Sequence, residues 1–216
     1  MNVRGPLAVL LTLAFSVSLA GCGLHASGPA PSTSGGRTHE RKPPSVRTVS
    51  AAPFALLVAT DGKTVEAPLG GRPIVVEFFA TWCPYCAYDA RYYLPRFASR
   101  VQGAGGVFYA VDASTGVGLG VPGPLGHPAL GKDGSYEPAP PNQEEQASLA
   151  ALRRYDEIYR LDYPTYYDPG LRFSQSAHIP AYPYFLFIDA KGQVVKALVG
   201  WQPDSTLWRT YQLAFR

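Results

Sequence analysis

Two apolar runs in the middle of the chain predict the buried strands of an α/β domain. Residues 74–80, which read IVVEFFA, and residues 107–112, which read VFYAVD, are apolar on both sides, which is typical of strands that are buried on both faces. Residues 84–100 between them can form a helix, which Pro95 must end or kink because proline lacks the amide hydrogen. A helix that joins two strands places them parallel, so a parallel pair is expected at the centre of the sheet.

The second half of the chain continues the alternation of helix and strand. Asn142 with Glu145 three residues later resembles a capping box, and the apolar spacing after it is helical. The elements predicted by such patterns are a helix over 144–161, a short strand over 163–168, a short helix over 170–178, a hairpin of 184–188 with 193–199, and a helix over 203–215 with Pro203 in its first turn. The hairpin makes the sheet mixed, so the fold class is α/β, with a central mixed β-sheet flanked by helices on both faces.

Two segments of the folded part are less regular. Residues 54–58 are apolar and precede Asp61-Gly62, which predicts a short strand that enters a turn and pairs with residues 64–67. Residues 113–141 carry glycine or proline every few positions, a density that excludes a long helix or strand. We interpret this second segment as a mobile surface insertion rather than as a segment that holds substrate.

The N-terminal quarter of the chain has the pattern of an exported protein. Arg4 precedes the apolar residues 7–19, a run of roughly two-thirds of the length that a membrane-spanning helix needs, so residues 1–21 are predicted to be a secretory signal. Residues 22–50 are rich in proline, glycine and serine and are expected to be a disordered tether. The folded domain is therefore expected to span residues 51–216.

Composition and charge support a globular protein and do not imply nucleic acid as a partner. Of the 216 residues 46% are hydrophobic and 12% aromatic, which is enough to form a core. The 19 lysines and arginines exceed the 16 acidic residues by only three, and the positive side chains are scattered along the chain.

The chain has three cysteines, and the first of them follows the signal. The sequence Leu19-Ala20-Gly21-Cys22 resembles the lipobox of bacterial lipoproteins, in which the cysteine is acylated and becomes the mature N-terminus. The alternative is an ordinary cleavage near Ala20 that leaves Cys22 as a free thiol. A lipid on Cys22 would hold the protein at a bacterial membrane outside the cytoplasm.

The other two cysteines form the sequence TWCPYC where a buried strand gives way to a helix. A thiol attacks only as a thiolate, and the free amides and dipole at a helix N-terminus would lower the pKa of Cys83. Pro84 at the first helical position supports that start, and Cys86, one turn further, can attack the sulfur of Cys83 when Cys83 is bound to a substrate. The pattern favours a nucleophile and a resolving cysteine.

Three other interpretations of the pair remain open. A structural disulfide would close a loop too small to constrain the unfolded chain much. A structural zinc site needs four ligands, and within the folded part only His127 and His178 could complete one of the usual cysteine and histidine type. A metal carrier, for example for copper, could use the same two sulfurs.

The chain resembles the thioredoxin superfamily over residues 51–216. Residues 77–86, EFFATWCPYC, are similar to the strand, tryptophan and dithiol of that superfamily. Residues 179–189, IPAYPYFLFID, with Lys191-Gly192 and Gly200, are similar to a second signature of its membrane-tethered, TlpA-like branch. The chain departs from that branch in having Arg91 five residues after Cys86, where the branch has proline, and Asp89 where a glutamate is common.

The resemblance implies roles for the residues around the dithiol. Pro183 would be cis and lie against the cysteines, and the backbone of Tyr182 would pair with an incoming polypeptide. Trp82, and Pro84 and Tyr85 between the cysteines, would shape the surface that meets the substrate. The alternative for Pro183 is a trans proline that only opens a strand.

The resemblance also implies a proton acceptor. Glu77 lies at a buried position where burial would raise its pKa, so that it could take a proton from Cys86. The alternative is a carboxylate satisfied by a lysine or by the backbone. The dipeptide Pro84-Tyr85 is that of glutaredoxins, whose reduction potentials are higher than that of thioredoxin, about −200 mV against about −270 mV.

The expected function is that of an extracytoplasmic thiol–disulfide oxidoreductase whose only cofactor is the Cys83–Cys86 pair, with no metal. Its substrates would be exported protein thiols or disulfides, with apocytochrome c as a candidate, and its partner a membrane electron donor of the thiol-transferring kind or an oxidase. A disulfide-forming oxidase is one alternative. A copper chaperone of the same fold is another, although such carriers place three residues between their cysteines.

Overall fold

The structure is a computed structural model, and it describes residues 54–65, 71–120 and 136–216. The predicted signal, the tether and Cys22 lie outside the described residues, as do His127 and the start of the domain at residue 51. In the described part of the chain no helix is long and apolar enough to cross a membrane.

In the described residues, six strands form one mixed sheet around a buried central strand. They are β1 (Val58–Ala59), β2 (Ile74–Phe79), β3 (Val107–Asp112), β4 (Thr165–Tyr167), β5 (Tyr184–Ile188) and β6 (Val194–Val199), in the order β1-β4-β3-β2-β5-β6. The pairs β2–β3 and β3–β4 are parallel, and the other pairs are antiparallel. Every residue of β2 is buried. The predicted central strand, its parallel neighbour and the terminal hairpin are confirmed.

Five α-helices of the part of the chain that the structure describes pack on the two faces of this sheet. They are α1 (Pro84–Tyr92), α2 (Leu94–Gly103), α3 (Glu144–Tyr159), α4 (Arg172–Ala177) and α5 (Asp204–Ala214). On one face the apolar side chains of α1, α2, α3 and α5 share a cluster with Phe79 and Phe108. On the other face Phe173 of α4 packs with Phe78 and with Phe54, at ring-centroid distances of 4.9 and 4.7 Å. The predicted α/β fold is therefore confirmed.

The predicted strand over residues 54–58 is wrong for most of its length. Phe54–Leu56 forms a turn of 3-10 helix, closed by a hydrogen bond from the amide of Leu57 to the carbonyl of Phe54, 3.1 Å. This turn buries Phe54 against α4, a contact that the sequence alone does not reveal. Strand geometry is limited to β1, and Val58 does pair with Thr64.

The helix after the cysteines is broken where Pro95 requires it. α1 ends at Tyr92, and α2 begins at Leu94 with Pro95 in its first turn. Tyr93 between them donates its amide hydrogen to the carbonyl of Asp89, 2.9 Å, and accepts from the amide of Phe97, 3.0 Å. α1 is therefore a short helix, which begins directly after Cys83 and ends at Tyr92.

Two predicted helix starts differ from the structure. The residue before α3 is Gln143, whose side chain makes no capping hydrogen bond, and Asn142 lies in the preceding turn with a φ of +61°. The capping box of Asn142 and Glu145 therefore does not form. Pro203 precedes α5 as its cap rather than lying within its first turn.

Candidate active site

The two cysteines lie where the central strand meets α1. After β2 the chain turns through residues 80–82, and the amide of Cys83 donates to the carbonyl of Ala80, 3.0 Å. Cys83 is the N-terminal cap of α1, and its Sγ accepts the amide hydrogen of Cys86, 3.3 Å. Pro84 is the first helical residue, as predicted. The sulfur of Cys83 therefore occupies the place of a capping oxygen, where the free amides favour a negative charge.

The two thiols have opposite acid–base properties. Cys83 is 4% exposed and Cys86 is fully buried. A hydrogen bond from the Cys86 thiol lowers the pKa of Cys83, with help from the backbone amides of Cys86 and Tyr85 and against the effect of burial. Burial, together with the hydrogen bond to Cys83, raises the pKa of Cys86 well above its ordinary value. Cys83 is thus the better thiolate, and Cys86 is a protonated thiol held beside it.

Glu77 is a buried carboxyl beneath the dithiol. It lies in the middle of β2, paired with Ala110 on one side and with Phe185 on the other, and is 1% exposed. Burial, and then the charges of Asp89 and Cys83, raise the pKa of Glu77 well above its ordinary value. Its Oε1 atom has no hydrogen-bond partner among the described residues. The structure therefore brings Glu77 within electrostatic range of both cysteines, at a place where a proton can be held.

Asp89 is a second buried acid near the dithiol, and no role was assigned to it from the sequence. Burial and the charge of Cys83 raise the pKa of Asp89 well above its ordinary value, and the indole N–H of Trp201, which lies nearby but outside hydrogen-bond geometry, offsets part of that rise. Neither carboxyl oxygen has a partner within hydrogen-bond geometry in the described part of the chain. A signal was available, because Asp89 follows Cys86 by three residues and so lies on the same face of the predicted helix.

The residues expected to meet substrate lie on two sides of the dithiol. Trp82 is half-buried, and its ring lies edge-on to that of Tyr182 at a centroid distance of 6.0 Å. The Tyr182–Pro183 bond is cis, as predicted, and Pro183 is buried. Burial raises the pKa of Tyr182 to about 12, with contributions from Asp112 and from both cysteines. Tyr85 is half-buried and packs against the core.

Both described ends of the insertion lie at this site. The amide of Gly120 donates to the carbonyl of Thr81, 2.7 Å, and the amide of Val117 donates to the carbonyl of Glu137, 2.9 Å. The ring of Tyr136 lies edge-on to that of Trp82 at 5.5 Å. Among residues 113–120 and 136–141 there is one isolated bridge and no helix or strand, as predicted. The glycine and proline pattern gave no indication of where these ends would pack.

A third buried carboxyl lies at the end of β3. Asp112 is paired with Phe79 on one side and with Tyr167 on the other, and its Oδ1 accepts a hydrogen bond from the Ser114 hydroxyl, 2.9 Å. Its Oδ2 has no partner among the residues that the structure describes. Burial raises the pKa of Asp112 to about 8, and the Ser114 hydroxyl and the Thr81 backbone oppose only part of that rise.

Replacing Asp112 by Asn is expected to change how stability depends on pH. Folded wild type keeps this proton up to a pKa of about 8, whereas an unfolded chain releases it near 3.8. Wild-type stability should therefore fall as pH rises between these values, by up to about 1.4 kcal/mol per pH unit. The Asn variant lacks this loss, so its free energy of unfolding relative to wild type should increase from pH 5 to pH 8.

Urea unfolding at several pH values measures that difference, because both proteins share every other titrating group. Asp162→Asn, at an exposed position, is the control that removes a carboxyl from the surface and leaves the end of β3 unchanged. A pH-independent difference between Asp112→Asn and wild type would show that Asp112 is ionised in the folded protein.

No cluster of three or more histidine, cysteine or acidic residues suited to a metal ion occurs in the described segments. His178 is exposed at the end of α4, on the opposite face of the sheet from the dithiol, and it lies near the carbonyl of Ser176. Of the two histidines considered as ligands, His178 therefore does not reach Cys83 and Cys86. Within the described residues, a metal at the dithiol would have to rely on the two sulfurs.

Comparison with known proteins places the chain in a family. The sequence model of the Redoxin family matches residues 42–207, whereas no curated protein matches the chain. The dsbF protein of Mycobacterium tuberculosis is similar in structure, with 18% identity, a TM-score of 0.53, and coverage of 77% of this chain and 99% of that one. A putative thiol:disulfide interchange protein DsbE from Chlorobium tepidum has 16% identity, a TM-score of 0.53, and coverage of 79% and 99%.

A putative thioredoxin from Neisseria meningitidis is also similar, with 21% identity, a TM-score of 0.51, and coverage of 77% of this chain and 91% of that one. At these identities the structures establish a shared thioredoxin-like fold. The family match covers more than half of the chain and includes the dithiol. The chain therefore belongs to the redoxin family, and it has the thioredoxin-like fold of these structures.

Proposed function

We propose that the chain exchanges disulfides with protein cysteines outside the cytoplasm, with Cys83 as the attacking sulfur and Cys86 as the resolving one. The observation that carries this proposal is the difference between the two thiols. Cys83 caps α1 and has a lowered pKa, whereas Cys86 is fully buried and has a raised one. Such a pair separates the reaction into two steps. The thiolate of Cys83 attacks first, and the buried thiol of Cys86 reacts only later, with the mixed disulfide.

The reaction in the reducing direction has two steps. In the first, the Cys83 thiolate attacks one sulfur of a substrate disulfide, whose S–S bond breaks as the other sulfur leaves and takes a proton. In the second, Cys86 loses its proton and attacks the Cys83 sulfur, so that the mixed disulfide breaks and the substrate leaves with both of its thiols. Two electrons pass from the dithiol to the substrate, and Cys83 and Cys86 end as a disulfide.

Glu77 accepts the proton from Cys86 in this scheme. Its Oε1 is free of other partners in the described chain, and the charge of Glu77 acts on the pKa of Cys86. A buried carboxyl with a raised pKa can exchange a proton at neutral pH, where an exposed glutamate would already be ionised. Trp82, Pro84, Tyr85, Tyr182 and Pro183 form the surface on which the substrate polypeptide lies, with its backbone paired to that of Tyr182.

The location and partners follow from the N-terminal sequence. A lipid on Cys22 would anchor the enzyme outside the cytoplasm, and residues 22–50 would let the domain reach substrates near the membrane. Protein thiols in that compartment are the substrates, with the haem-attachment cysteines of apocytochrome c as one candidate. Reduction there needs a membrane donor of the thiol-transferring kind, because the compartment is oxidising.

The reduction potential of the Cys83–Cys86 pair tests the reducing direction. With the Pro84-Tyr85 dipeptide of glutaredoxins we expect about −200 to −230 mV, at which a donor can keep the pair reduced. Equilibration of the protein with glutathione buffers measures it, and the double change Pro84→Gly with Tyr85→Pro should move it towards the thioredoxin value of about −270 mV.

A disulfide-forming oxidase is the second candidate, and the lowered pKa of Cys83 favours it, since a stabilised thiolate stabilises the reduced protein. A potential near the −120 mV of a strong oxidant would replace the reducing proposal by this one.

A further inference from the structure

The described ends of the insertion form a short strap beside the dithiol. We use the word strap for residues 116–120 together with residues 136–138. The two parts are joined by a bridge between Gly116 and Pro138 and by the hydrogen bond from the amide of Val117 to the carbonyl of Glu137. The strap is therefore a paired structure, although it contains no regular strand.

The strap is attached to the loop that carries Cys83. Gly120 donates its amide hydrogen to the carbonyl of Thr81 and accepts a hydrogen bond from the hydroxyl of Tyr159 on α3. A Cβ atom at position 120 would lie 2.7 Å from the carbonyl oxygen of Cys83, so only glycine permits this approach. The strap thus lies directly against the backbone of the attacking cysteine.

An aromatic row joins the strap to the loop that contains Pro183. Trp82 lies edge-on to Tyr136 on one side, at 5.5 Å and 90°, and to Tyr182 on the other, at 6.0 Å and 83°. A Cβ at position 116 would lie 2.5 Å from the Tyr136 ring and 2.8 Å from that of Trp82, so Gly116 lets these two rings approach each other. Tyr182 is fixed in turn, because its hydroxyl donates to the carbonyl of Ala113.

Tyr136 is the exposed end of this row. Its residue surface is 54% exposed, whereas Trp82 and Tyr182 are half-buried and Cys83 is almost covered. The strap and the Pro183 loop flank Trp82, the residue before Cys83, so the space between them is the route that we assign to a polypeptide whose cysteine reaches Cys83. A side chain next to that cysteine would then meet the ring of Tyr136. Because this ring is already held in place by Trp82, it would lose little conformational freedom on contact with the substrate.

We propose that Tyr136 is a specificity-determining residue, which selects polypeptide substrates with an aromatic or large aliphatic side chain beside the reacting cysteine. This inference rests on the proposed function, because it concerns the substrate of the same dithiol. The insertion then has a role at the substrate surface, whereas its composition favours a mobile surface insertion that does not hold substrate. An aromatic contact of this kind should change kcat/KM by about threefold to tenfold.

The test uses two peptide disulfides that differ only in the residue next to the cysteine, Phe in one and Ser in the other. The reduced full chain should react with the Phe peptide about threefold to tenfold faster in single-turnover measurements. Tyr136→Ala should bring the two rates within about twofold of each other, whereas Tyr136→Phe should keep the preference because it keeps the ring.

Two controls separate specificity from damage to the dithiol. Tyr92→Ala removes another tyrosine, 47% exposed and on α1, and should leave the preference unchanged. Hydroxyethyl disulfide has no side chain to meet the strap, so wild type and Tyr136→Ala should reduce it at equal rates.

Two kinds of result would count against the inference. The first concerns Tyr136 alone, and the second concerns the dithiol chemistry. Equal wild-type rates with the two peptides, or a preference that survives in Tyr136→Ala, would overturn the role of Tyr136 while leaving the dithiol chemistry intact. A reduced wild type that reacts with neither peptide nor with hydroxyethyl disulfide would overturn the proposed function itself, and the inference with it.

Discussion

Replacing Cys83 by Ser is expected to lower the rate of disulfide reduction by about a thousandfold or more. Cys83 is the thiol that the fold prepares for attack, since it caps α1 and has a lowered pKa. A hydroxyl at the same place stays protonated at neutral pH and cannot form the mixed disulfide. The loss is measured as the rate at which the reduced chain reduces a protein disulfide, monitored through the free thiols that appear.

Cys86→Ser is the matched control for that prediction. It changes the same atom type one helical turn away, and it should keep the first attack while losing the second step. The variant should therefore release at most one thiol per chain and then stop as a mixed disulfide. If Cys83→Ser still reduced substrate and Cys86→Ser failed to attack it, the two roles would have to be exchanged.

Replacing Glu77 by Gln is expected to slow the second step by about a hundredfold while leaving the first attack nearly unchanged. Cys86 is fully buried and has a raised pKa, so it needs a nearby group that takes its proton. Gln keeps the volume of Glu77 but cannot accept that proton. Rapid quenching of single turnovers, with the mixed disulfide and the final disulfide counted separately, measures the two steps.

The difference in resolution rate between wild type and Glu77→Gln should depend on pH. Below the raised pKa of Glu77 the carboxyl is already protonated, so wild type loses its advantage and approaches the variant. At high pH Cys86 ionises without assistance and the deficit of the variant shrinks again. The difference in resolution rate should therefore be largest at intermediate pH.

The pH dependence of stability tests the raised pKa of Glu77 independently of the kinetic measurements. A carboxyl with a raised pKa in the folded state contributes stability below its unfolded pKa and loses it as pH rises towards the folded value. Glu77→Gln should therefore gain stability relative to wild type as pH increases above about 4.5. Glu145→Gln, at an exposed position in the first turn of α3, should leave the resolution rate unchanged and lower stability by at most about 1 kcal/mol, through its interaction with the helix dipole. Unchanged resolution in Glu77→Gln would remove the proposed role.

The parts of the fold that the sequence predicted correctly are those set by local patterns. The apolar runs predicted β2 and β3, and the turn between two apolar segments predicted the β5–β6 hairpin. Pro95 predicted the break between α1 and α2. The placement of Cys83 as the cap of α1 followed from a strand that runs into a helix with Pro84 at its first position. Each of these features is determined within a few residues of the chain.

The features that the sequence did not predict depend on contacts between distant segments. The turn at Phe54 is fixed by its packing on Phe173. In the strap, Gly120 makes hydrogen bonds with Thr81 and Tyr159, and residues 136–138 are joined to residues 116–120 by their own pairing. Glycines and prolines in that insertion excluded regular structure correctly, but they do not encode the surface on which a loop packs. Asp112 was expected at the end of a buried strand, but its pairing with Phe79 and Tyr167 on two other strands was not predicted.

The identity of the sulfur that bonds to substrate is the most direct test of the proposed mechanism. The reduced Cys86→Ser protein is mixed with a peptide disulfide and quenched with acid, and the adduct is located by peptide mass mapping. The lowered pKa and residual exposure of Cys83 predict one peptide per chain, bound to Cys83 through a disulfide. The absence of any adduct on Cys83, under conditions in which the wild-type chain reduces the same peptide, would contradict attack by this residue.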